Sequence, residues 1–66
     1  MSVQNNLKEI RMQEHMMNIT QFAEYIGVDN KILSSWEKNK SRPTLERALE
    51  VSKKLNKNVN EIWYLE

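Results

Sequence analysis

The stretch Asn18 to Lys38, NITQFAEYIGVDNKILSSWEK, constrains this chain more than any other. It reads as two short helices joined by a tight turn at Gly27. The first carries an apolar face of Phe22, Ala23 and Ile26, with Ile19 one turn earlier; the second turns Leu33 and Trp36 inward. A small side chain at Ala23 lets the two helices cross closely and steeply. Glycine at position 27 takes the left-handed conformation that ends a helix without a steric penalty. Both helices also carry start signals. Asn18 and Gln21 have the spacing of a capping box, and Met17 and Phe22 that of a hydrophobic staple. Asp29 caps the second helix, with Val28 and Leu33 as its staple. The segment is predicted to be a helix-turn-helix.

The rest of the chain must supply a core around it. With 66 residues there is room for one small domain, here taken as 1–66, near the lower limit for unaided folding. There is no Cys to supplement that core with a disulfide or a thiolate-bound metal. A single Gly and a single Pro favour helices over a sheet of turns. No apolar run approaches the roughly 20 residues of a membrane span, and Met1–Asn6 lacks a signal peptide's apolar core, so a soluble, cytoplasmic protein is expected. The net charge of +1 says little, but its distribution says more. Lys31, Lys38, Lys40 and Arg42 lie close together, opposed within that stretch only by Glu37.

Val3 to His15 reads as a first helix, with Val3, Leu7, Ile10 and Glu14 at helical spacing, Arg11 beside them, and Met17 extending the stripe past a turn at His15-Met16-Met17. His15 is the only histidine, which excludes a multi-histidine metal site and favours a helix-end role. Met12, Met16 and Met17 read as core filler. After Trp36 comes a polar loop in which Asn39 is suited to a left-handed conformation. Thr44, following Pro43, caps a fourth helix whose buried face is read as Leu45, Ala48, Leu49, Ser52 and Leu55, flanked by Val51, with Asn56 at its end. Asn58 and Glu61 have capping-box spacing for a short fifth helix that turns Val59, Ile62 and Trp63 inward. The fold class is all-α, five helices in one domain.

These residues resemble the Cro and lambda-repressor-like (Xre-type) regulators of phages and bacteria. The resemblance rests on Leu7-Lys8-Glu9-Ile10-Arg11, Phe22-Ala23 with Ile26-Gly27-Val28, Leu33 with Trp36-Glu37, Arg42-Pro43-Thr44-Leu45, and Leu49 through Ile62. It implies a five-helix lambda-repressor-like domain whose third helix enters the major groove, usually as half of a dimer on a two-fold operator. It further implies an ion pair between Arg11 and Glu37, and a homodimer through the C-terminal Trp63, Tyr64 and Leu65. Departures are visible. Asn18-Ile19 replaces the Thr/Ser-Gln that usually opens the second helix, leaving Thr20 or Gln21 to supply the backbone contact. Met16 stands where Gly is usual, in a turn one residue longer. Lys38-Asn39 and Asn56-Lys57 replace Asn-Gly and Gly-Val.

Independently of any family, Lys31, Ser34, Ser35 and Lys38 face away from Leu33 and Trp36, with Asn30 beside them. Asn pairs with adenine, Lys favours guanine and Ser is permissive, so Asn30, Lys31, Ser34 and Ser35 are candidate base readers. Gln21, Lys38, Asn39, Lys40 and Arg42 are candidate phosphate contacts. No catalytic set is recognisable, since Ser34 and Ser35 have no histidine in sequence reach. The expected partner is double-stranded operator DNA, with no cofactor, metal or small-molecule ligand. The expected role is a small repressor of phage or prophage type, with activation as a variant. The alternative is an antitoxin-like or adaptor module that binds a protein through the same fold.

Overall fold

A computed structural model describes residues 1–66. Five helices run in the order α1 (Leu7–Glu9, continued by a π-helical turn Ile10–Glu14), α2 (Ile19–Ile26), α3 (Asn30–Glu37), α4 (Leu45–Leu55) and α5 (Val59–Ile62). A two-stranded antiparallel ribbon joins β1 (Val3–Asn5) to β2 (Trp63–Leu65), with Val3 opposite Leu65, Gln4 opposite Tyr64 and Asn5 opposite Trp63. No helix is long and apolar enough to cross a membrane.

The start signals of α2, α3 and α4 act as their chemistry dictates. The Asn18 side chain accepts from the Gln21 N–H while the Gln21 side chain accepts from the Asn18 N–H, closing the capping box. Asp29 accepts from the Lys31 N–H and Thr44 from the Arg47 N–H. The three helices also end alike. Gly27, Asn39 and Asn56 take left-handed φ angles of 80°, 61° and 57°. In each case the next N–H reaches back to a carbonyl of the last turn: Val28 to Ala23, Lys40 to Ser35 and Lys57 to Ser52.

A core of Leu7, Ile10, Phe22, Ala23, Ile26, Leu33, Trp36, Val51, Leu55 and Ile62 lies between the helices, with Met17, Ile19, Val28 and Trp63 packed on its margin. Phe22, Leu7, Leu33, Val51 and Ile62 are fully buried, each contributing roughly 1.5 to 3 kcal/mol. Buried Ser52 is satisfied by donating to the Ala48 carbonyl at 2.7 Å.

Five expectations are corrected. The first helix does not begin at Val3: Val3-Gln4-Asn5 is a strand, and the Asn5 side-chain oxygen takes the Leu7 N–H at 3.1 Å, starting the helix there. Trp63 leaves the fifth helix for β2, because β1 offers Trp63-Tyr64-Leu65 a partner and aromatic residues suit a pleated surface. Asn58 starts α5 without a side-chain cap; the Glu61 N–H bonds to its backbone carbonyl instead. In α4 the buried stripe is Ala48, Val51, Ser52 and Leu55, while Leu45 and Leu49 are exposed at 72% and 50%. Both stripes have helical spacing, and the positions of α2 and α5 against α4 select the one containing Val51. Met12 and Met16 are likewise exposed, so only Met17 fills space beside the core.

Two features shape the turn into α2. The His15 N–H bonds to the Ile10 carbonyl five residues back, the wide spacing of a π turn, and Met16 takes a φ of 52°. His15 ends the turn with its ring 5.6 Å from Phe22 and 5.3 Å from Tyr25. A left-handed non-glycine residue costs about 1 to 2 kcal/mol. Met16 is 86% exposed and loses no packing when shortened. Met16→Gly should therefore raise the unfolding free energy by about 1 kcal/mol. Gly27→Ala, where an added Cβ meets nothing within 4 Å, should lower it by a similar amount through the backbone alone. Urea denaturation of the two variants measures both, and a Met16→Gly protein no more stable than the parent refutes the strain.

Candidate nucleic-acid interface

Helix α3 is held on three sides, which leaves one face free. Leu33 and Trp36 anchor it in the core, and Trp63 meets Trp36 edge-on at 6.2 Å. Its C-terminal end is fixed by the ribbon: the Trp36 carbonyl accepts from the Asn5 side-chain amide at 2.8 Å and from the Asn39 N–H at 2.9 Å. Asn5 thus joins β1, α1 and α3. Its role was missed in the sequence, where Val3 to His15 reads as one helix.

The Arg11–Glu37 pair completes the anchorage. Arg11 donates to Glu37 twice, Nε to Oε2 at 2.9 Å and Nη2 to Oε1 at 3.1 Å, and its third nitrogen donates to the Met17 carbonyl at 3.2 Å. The side chains are only 11% and 6% exposed. One guanidinium therefore fastens α1, the turn into α2 and the end of α3. It also neutralises Glu37, the only acid between Asn30 and Arg42.

On the free face, Asn30 and Lys31 are exposed and Ser34 is half-buried; together with Ile19 of α2 they line a shallow groove between the two helices. Thr20 of α2 lies beside Asn30, with Asn30 Nδ2 at 3.5 Å from its hydroxyl. Gln21 is exposed at the start of α2; the capping box uses its oxygen and leaves its NH2 group outward. Ser35, half-buried, shares a 2.9 Å hydrogen bond with the Ser41 hydroxyl, so it stands on the loop side of α3. Lys38, Lys40 and Arg42 are exposed along the following loop, and neither they nor Lys31 enter a salt bridge. Arg42 leans toward β1, 3.5 Å from the Val3 carbonyl.

Asn39 differs from the expectation. Its side-chain amide turns inward to Gln4 at 3.4 Å and its Oδ1 is buried, so it shapes the loop and does not present a side chain to an outside phosphate. Trp63 and Tyr64 are half-buried in the ribbon, while Leu65 is 65% exposed. No three His, Asp or Glu residues gather as metal ligands.

Comparison with known families agrees with this geometry. Residues 7–62 match the model of a family described as helix-turn-helix. A search of curated proteins finds no match.

The buried pair sets a stability test for the platform. Glu37→Gln leaves the Arg11 charge in a site with little water, and such a loss costs about 3 to 5 kcal/mol when burial is nearly complete. That is a large fraction of the stability of a domain this small. A melting temperature unchanged in Glu37→Gln would show that the pair carries no such weight.

Proposed function

The chain belongs to the Xre/Cro-like helix-turn-helix family of DNA-binding regulators, and from that premise we propose that it binds a specific operator and represses transcription, as a homodimer in the cytoplasm. In this reading α3 lies in the major groove. Asn30, Lys31, Ser34 and Ser35 read base edges, and Gln21, Lys38, Lys40 and Arg42 hold phosphates. The observation that carries it is the charge of the free face. Lys31, Lys38, Lys40 and Arg42 stand exposed without a carboxylate partner, because Glu37 is taken inside by Arg11. Thr20, beside Asn30, and Gln21, exposed at the start of α2, flank that face.

The two groups of residues should fail differently. Asn30→Ala or Lys31→Ala should cost about 1 to 3 kcal/mol on a preferred duplex and little on random DNA. Lys40→Ala or Arg42→Ala should weaken both alike and reduce the salt slope by about one. Competition binding at two salt concentrations separates them. Undiminished preference in the α3 variants would place the reading face elsewhere.

The dimer is proposed through Trp63, Tyr64 and Leu65. Leu45, exposed at 72%, lines a groove with Val3, Arg42, Pro43, Ala48, Val59 and Trp63, and Leu65, exposed at 65%, lines a neighbouring one with Val3, Asn60, Trp63 and Tyr64. A two-fold dimer places two α3 helices in successive major grooves about 34 Å apart, which calls for a near-palindromic operator. Leu65→Asp, at an exposed position, should weaken binding to the two-fold site more than binding to a half-site. Equal losses on both, or a monomer at every concentration with operator present, would sink the dimer.

A further inference from the structure

Helix α3 carries one apolar side chain that its packing does not use. Ile32 is 47% exposed and lies outside the buried core, while its neighbour Leu33 is fully buried. Isoleucine is a weaker helix former than Leu, Lys or Gln, so helix propensity does not account for it at an exposed position. Its location is informative. At about 100° per residue, Ile32 sits about 40° from buried Trp36 and about 60° from Ser35, at the edge where the buried stripe meets the outward face. Ser34 faces the α2 side with Asn30 and Ile19. Ile32 borders the opposite flank, where Ser35 is its surface neighbour three residues on. The side chains of the outward face that Ile32 borders, Asn30, Lys31, Ser34, Ser35 and Lys38, are polar.

The major groove offers one apolar feature to such a side chain, the 5-methyl group of thymine. Polar groups cannot gain from it, and a branched aliphatic side chain can bury it. We propose that Ile32 reads a thymine methyl, so that the preferred duplex has a thymine where this flank of α3 meets the groove. The inference rests on the DNA-binding function of the same face and adds an apolar determinant to its polar set.

Replacing thymine by deoxyuridine removes that methyl and leaves every hydrogen-bonding edge unchanged. With the full chain and a duplex selected from random sequence, each thymine is replaced singly. One replacement should weaken binding about fourfold, the scale of one buried methyl group. Ile32→Ala should bind the thymine and deoxyuridine duplexes equally, at about the level of the parent on deoxyuridine. Ile32→Val should retain part of the difference, and thermal melts of both variants verify that they fold.

If no thymine in the selected duplex is methyl-sensitive, or if Ile32→Ala keeps the sensitivity, the proposal is overturned while sequence-specific binding stands. If no duplex is preferred at all, the DNA-reading function falls, and the proposal falls with it.

Discussion

The Arg11–Glu37 pair is the interaction on which the remainder of the structure depends. A domain this small has only ten residues in its main core, and the pair adds a polar tie between α1 and α3 to the apolar one that Leu7 and Ile10 make with Leu33 and Trp36. A two-point guanidinium–carboxylate contact fixes distance and orientation together, which a hydrophobic contact does not. The third nitrogen, on the Met17 carbonyl, extends the same constraint to the start of α2. The pair also shapes the surface. By drawing Glu37 inward it removes the one negative charge that would sit among Lys31, Lys38 and Lys40.

The same economy recurs in the backbone. Left-handed residues close α2, α3 and α4, and a fourth, Met16, redirects the chain after the π turn. Only one of the four is glycine. Asn39 and Asn56 suit the conformation because asparagine populates it more readily than other non-glycine residues, whereas methionine has no such preference. The turn before α2 therefore holds strain next to the guanidinium that secures it.

Much of this was legible in the sequence. Asn18, Gln21, Asp29 and Thr44 have local capping chemistry, and local chemistry reads directly from spacing. Gly27, Asn39 and Asn56 announced their turns in the same way. What failed was non-local. Nothing in Val3-Gln4-Asn5 says that Trp63-Tyr64-Leu65 will lie beside it, so an apparent helical stripe hid a strand. In α4, Ala48, Ser52 and Leu55 fit two rotations of the helix, and only the packing of α2 and α5 chose Val51 over Leu49. On the candidate interface, the cations and the outward polar residues of α3 were found from periodicity. The inward amide of Asn39 and the clamp at Asn5 depend on contacts more than thirty residues apart.

The clamp at Asn5 has a consequence for fidelity of assembly. A ribbon of three residue pairs is too short to define its own alignment, and sliding one strand by a single residue would exchange its two faces. Here a slip of β1 would put Gln4 in place of Asn5, and a slip of β2 would turn Trp63 away from Trp36. The Trp36 carbonyl would lose its side-chain donor, and the Leu7 N–H would lose the oxygen that starts α1. Helix α3 thus works as a parity check on the ribbon. The helix with the exposed face also proofreads the alignment of two strands that lie behind it.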